Sequence, residues 1–181
     1  MSDEQYRSLV ERCLENDRSA QYEFYQLHSD KMYSICMYYA KDRQEASDFL
    51  QEGYLKVFKK LHTFTFSGSL EGWIRRIIVN TALSHIRKKR KTLFNDMPIE
   101  EIPDVADVKD EEIEILPSAK VIEMVDELPE KSALVLKLFA IEGYTHHEIA
   151  ELMDITVGTS KSQLSRARTL LKQAIKDLNG K

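Results

Sequence analysis

Residues 145–168, THHEIAELMDITVGTSKSQLSRAR, decide how this chain folds. Thr145 is placed to cap a helix with its hydroxyl, and Glu148, three residues on, completes a capping-box pattern. Ile149, Leu152 and Met153 recur at helical spacing and predict a buried stripe, with Ala150 small where a second helix has to cross. Asp154 falls at the break, and Asp tolerates a left-handed backbone better than most side chains. Thr156 can cap the next helix, whose apolar face continues through Leu164, Ala167, Leu170 and Leu171. Its outward positions include Thr159, Lys161, Ser162, Ser165, Arg166 and Arg168, hydrogen-bond donors suited to base edges and phosphates. Caps, turn and charge therefore agree on a helix-turn-helix; the competing reading is a plain helical hairpin with a solvated basic face.

The rest of the chain bounds what this motif serves. Its 181 residues suffice for one medium domain or two small ones, and only 6 Gly and 4 Pro interrupt them, so an all-α fold is expected. No run approaches the roughly 20 apolar residues of a membrane span and no signal-peptide pattern opens the chain, so no membrane insertion is expected. Cys13 and Cys36 lack a CxxC partner, which fits buried thiols in a reducing cytoplasm. His146 and His147 beside Glu148 diverge around a helix, so no metal site and no cofactor is expected there.

A net charge of −4 argues against nucleic acid until its distribution is read. Residues 1–94 carry 16 basic and 12 acidic groups, a net of +4, and residues 95–116 carry 1 and 9, a net of −8. Residues 117–181 balance at nine of each, yet residues 156–181 hold six basic groups against one acidic. Two units with basic surfaces thus flank an acidic strap, and phosphate binding follows the local field. Helical patterns cover residues 4–15, 19–40, 43–61 and 70–90, with a loop at 62–69. Further helices follow at 118–127 and 130–142, ended by Gly143. The expected organisation is a first domain at 1–92, an acidic flexible linker at 93–117 and a second domain at 118–181.

The helix near 70–90 narrows the function. Arg76, Asn80, Ser84 and Arg87 share one face, with Arg75 and Lys88 beside them, and the helix ends in a basic run suited to phosphates. Asn in a helix interior asks for a contact or a packed hydrogen bond. Phe64, Phe66 and Ser67 lie in the preceding loop; aromatics beside basic and small polar groups suit unstacked bases, and equally suit anchoring the loop to a core. Trp73 fits core packing better than base stacking. On helix 43–61, Asp48, Gln51 and Glu52 sit with Phe49 and Leu55. Alone that is an ordinary amphipathic helix; as an exposed mixed face it suggests a protein partner.

Three stretches together resemble one family. ASDFLQEGYLKVFKKL (46–61), GWIRRIIVNTALSHIRKKR (72–90) and LPEKSALVLKLFAIEGYTHHEIAELM (128–153), with GTSKSQLSRAR after it, are similar in order and separation to the extracytoplasmic function (ECF) sigma factors of bacterial RNA polymerase. The resemblance covers nearly the whole chain. It implies two small helical domains joined by the acidic linker, the second ending in the helix-turn-helix, and a cytoplasmic protein that is not an enzyme. It also implies the partners: the core polymerase largest subunits, promoter DNA and an anti-sigma factor. Asp48, Phe49, Gln51, Glu52 and Leu55 would meet the core polymerase. Phe64, Phe66, Ser67, Arg75, Arg76, Asn80, Ser84, Arg87 and Lys88 would meet the −10 element, the loop holding a flipped base. Thr159, Lys161, Ser162, Ser165, Arg166 and Arg168 would meet the −35 element. The sequence departs from the family at Ser160, where Val is usual and burial is expected, its hydroxyl free to bond back to Thr156. Gln163 stands where Arg is common, which removes an expected phosphate contact. The alternative is a stand-alone helix-turn-helix regulator, which needs a receiver or ligand domain; residues 1–92 show no βα alternation to supply one.

Overall fold

The computed structural model describes residues 3–93 and 119–179. The acidic linker expected at 93–117 lies, apart from Leu93, outside the described residues. All regular structure among them is helical, and the chain divides into two compact units, Met1–Asn95 and Asp96–Lys181. No described helix is long and apolar enough to cross a membrane.

In the first unit, α1 (Asp3–Leu14) reaches α2 (Arg18–Tyr39) through Asn16, which takes the left-handed φ of 63° that Asn accepts. Asp17 then caps α2: its carboxylate accepts from Ser19 N at 2.8 Å and Ala20 N at 3.2 Å, and from Arg12 at 3.1 Å. The Ala20 amide, and next the Arg12 guanidinium, hold that carboxyl below its ordinary value. Asp42 caps α3 (Arg43–Lys60) by accepting from Glu45 N, and Glu45 reaches back to Lys41 N, both at 2.8 Å. A 3-10 turn (Leu61–Thr63) leads to the loop, and α4 (Leu70–Leu93) continues through the whole basic run.

Phe24, Met32, Phe49, Val57, Leu61, Ile74 and Ile78 fill the core between α2, α3 and α4. Gly53 lets Ile78 pack close: a Cβ there would collide with Ile78 Cδ1. Cys13 and Cys36 are free and buried, as expected, and burial pushes their thiols up to about 11 and about 12. They are inert as nucleophiles near neutrality.

The second unit begins with α5 (Ala119–Asp126) and α6 (Glu130–Leu136). The helix expected to run evenly to 142 instead widens to a π turn (Lys137–Ile141), with Glu142 N bonded to Lys137 O at 3.2 Å. Gly143, at φ +71°, ends it, and Tyr144 N closes onto Leu138 O at 3.0 Å. Next come α7 (His146–Met153) and α8 (Val157–Asn179). Both halves of the capping box at Thr145 and Glu148 are present, Asp154 sits at φ 58°, and Thr156 Oγ1 accepts from Thr159 N at 3.0 Å.

Candidate nucleic-acid interface

On α8 the buried side is Ser160, Gln163, Leu164, Ala167 and Leu171. The opposite side therefore presents Ser162, Ser165 and Arg166, with Thr159 and Lys161 flanking them. Lys161 and Arg166 are exposed; Ser162 donates back to Thr159 O at 3.0 Å. Thr169, which sequence reasoning passed over, is exposed in the same row and donates to Ser165 O at 3.0 Å. Its signal was available: it lies four residues beyond Ser165. Arg168 is half-buried, its guanidinium 5.7 Å from the Phe139 ring centroid, so part of its surface serves the fold.

Two expectations here are corrected. Gln163 is not an outward position with a missing phosphate contact. It is 3% exposed and accepts from the buried Ser132 hydroxyl at 2.6 Å. Ser160 is buried as expected, but its hydroxyl does not bond to Thr156. It pairs with His146 Nδ1 at 2.9 Å, while the ring of His146 stacks on Phe139 at 4.7 Å. Backbone geometry already commits Ser160 N to Thr156 O, and the hydroxyl takes the imidazole that faces it.

In the first unit, Arg76, Asn80, Ser84 and Arg87 follow one row of α4, opposite the buried Ile74, Ile78 and Ala82 and bordered by the buried Val79 and Leu83. Arg76, Arg87 and Lys88 are exposed, while Asn80 and Ser84 are half-buried and Ser84 donates to Asn80 O at 2.7 Å. Arg75 does not share that row. It stands about 100° round the helix from Arg76 and is half-buried. The loop before α4 is an aromatic assembly: Phe64 lies 4.9 Å from Phe66 and 5.5 Å from Trp73. All three are partly buried against the core, which favours the anchoring role for the phenylalanines. Ser67 is exposed at the tip, its hydroxyl 2.9 Å from that of Thr65, and Ser69 Oγ accepts from Gly72 N to start the helix.

On α3, Asp48, Gln51 and Leu55 are exposed, Leu55 at 72%. Phe49 is not part of that surface: at 1% exposure it belongs to the core, a fourth of a turn or more from the outward row. Glu52 is half-buried and engaged within the fold, paired with Lys56 at 2.7 Å and with His85 of α4. The Lys56 hydrogen bond foremost, and His85 after it, hold the Glu52 carboxyl below its ordinary value. Among the described residues no cluster of His, Cys, Asp or Glu could hold a metal.

Both units match families separately: Sigma-70 region 2 over residues 24–92 and Sigma-70 region 4 over residues 118–171. The RNA polymerase sigma-H factor of Pseudomonas aeruginosa is 30% identical, with 98% of this chain and 97% of that one covered. The chain belongs to the ECF sigma factors of RNA polymerase. The ECF sigma factor SigW of Bacillus subtilis is 24% identical over 93% of this sigma factor and 96% of its own length. The fold of this sigma factor is also that of RpoE from Bartonella quintana, solved with the anti-sigma factor NepR. The TM-score is 0.50 at 20% identity, covering 85% of this chain and 95% of that one. A sigma factor is a DNA-binding transcription initiation factor and not itself an enzyme.

Proposed function

We propose that this sigma factor grips its promoter at two places while seated on core polymerase in the cytoplasm. The supporting observation is that each matched family region carries its own outward polar-basic row. On α4 it is Arg76, Asn80, Ser84 and Arg87 beside the aromatic loop; on α8 it is Ser162, Ser165 and Arg166 with Thr159 and Lys161. The α8 row reads the −35 duplex in the major groove, with Thr169 continuing the track. The α4 row and loop 63–69 receive the −10 element as its strands part, Lys88 lying near the phosphates. Arg75 and Arg168 act at the margins of the two surfaces, each partly committed to its own unit. Asp48, Gln51 and Leu55 meet the largest polymerase subunits, and Glu52 holds that face rigid through Lys56 and His85. An anti-sigma factor competes for the same surfaces.

Reconstitution with core polymerase on a genomic promoter library tests this. Arg76→Ala with Asn80→Ala should abolish permanganate-detected strand opening and leave core affinity unchanged. Asp48→Ala with Leu55→Ala should weaken core binding, and strand opening should fall with it and recover when the variant is added in excess. If both sets alter only duplex affinity, the chain is a simple DNA binder and the proposal fails.

A further inference from the structure

Phe66 stands at φ 57°, a backbone conformation that a bulky side chain rarely adopts and that persists only where its surroundings hold it. The Phe66 ring lies 4.9 Å from that of Phe64, and the flanking Thr65 and Ser67 hydroxyls bond at 2.9 Å. A further contact comes from outside the loop. The Arg7 guanidinium of α1 lies over the Phe66 ring, 4.6 Å from its centroid. Leu9, Val10 and Cys13 bury the adjoining side of α1 in the core, so Arg7 stands on an anchored post beside the loop. A planar guanidinium covers an aromatic face more completely than an ammonium does. From Phe66 the contact continues through Phe64 to Trp73 at the start of α4.

We propose that Arg7 is a positioning residue for the promoter-reading loop: by capping Phe66 it holds the loop in the conformation that receives a single-stranded base. The inference rests on the assignment of residues 63–69 to the −10 element. Arg7 acts here through an aromatic ring and not through a phosphate, which separates it from the basic residues of α4.

Trp73 is the chain's one tryptophan and sits against Phe64, so its fluorescence reports the loop directly. In the free chain, Arg7→Ala should shift Trp73 emission, with the circular-dichroism spectrum unchanged. With the full chain on core polymerase, the probe is a short fluorescein-labelled single strand selected by the wild type from a random pool. Arg7→Ala should bind it about three- to tenfold more weakly. Arg7→Lys should fall between, and Arg7→Ala should add nothing once Phe66→Leu is present. The dependence of affinity on salt should stay as in the wild type. A salt slope reduced by about 0.7 would make Arg7 a direct phosphate contact and overturn the proposal. Unchanged emission and affinity would overturn it as well. If Phe64→Ala leaves single-strand binding intact, the assignment of the loop to the −10 element fails instead, whatever Arg7 does to the emission.

Discussion

The two units differ in what accompanies their apolar cores. The first interlocks large apolar groups, Phe24, Met32, Phe49, Leu61, Ile74 and Ile78 among them. The second adds polar pairs to its apolar interior: Ser132 with Gln163, both buried, at 2.6 Å, the buried Ser160 with the half-buried His146 at 2.9 Å, and the buried Lys137 with the exposed Asp126 at 2.7 Å. Apolar packing is sensitive to volume, because a hole or an extra methyl has nowhere to go. Buried polar pairs are sensitive to partners, because an orphaned group costs more than the pair contributes. The first unit should therefore break when shape changes and the second when a hydrogen bond is removed.

The largest expected effect is in the first unit. Phe49→Ala should lower its stability by about 3–5 kcal/mol in urea unfolding. Leu55→Ala, on the same helix but exposed, should leave the melting temperature alone and weaken polymerase binding. If Phe49→Ala proves harmless to folding, the packed side of α3 has been misplaced and the contrast collapses. Gly53→Ala comes next. Its new methyl would displace the Ile78 Cδ1 methyl, and with the helix propensity gained a net loss of at most about 1 kcal/mol is expected.

Ser160→Ala carries the contrast into the second unit. It removes the hydroxyl alone, so His146 Nδ1 loses its partner, and stability should drop by about 1 kcal/mol. Equal or higher stability would show that the second unit does not depend on this hydrogen bond, and the contrast would fail. The smallest effect concerns an exception. His28 is a polar group in the apolar unit, 2% exposed, with neither ring nitrogen hydrogen-bonded to the described residues. Burial holds its imidazole below the ordinary 6.5, with Glu71 pulling it up and Lys31 down. The unfolded chain thus binds the proton more readily, so this contribution is full above about 6.5 and is lost as pH falls below it. His28→Leu should flatten the decline in melting temperature between pH 6.5 and pH 5, measured by circular dichroism. An unaltered slope would assign the decline to other groups.

What was legible in the sequence follows the reach of each interaction. The Thr145 box, the Asp154 turn, the Thr156 cap and the Gly143 stop all act within a few residues, and each was readable from spacing. Gln163 was misread although it lies three residues from Ser160, on the same buried side; its polar identity outweighed its position. Phe49 was misplaced for the opposite reason, since an aromatic inside a contact motif resembles an anchor for a partner. The pairing of His146 with Ser160 and of Arg7 with Phe66 joins separate helices and loops, which no periodicity announces. The π turn at Lys137–Ile141 likewise leaves the apolar pattern of its helix unchanged.

The contact between Gly53 and Ile78 has a consequence for descent. Its two positions share one small volume across the crossing of α3 and α4, so a methyl gained at one is accommodated by the side chain at the other. Among relatives, a methyl gained at 53 should be accompanied by a smaller side chain at 78. An alignment deep enough to compare those two columns would find them drifting together, a record of this crossing written without any structure.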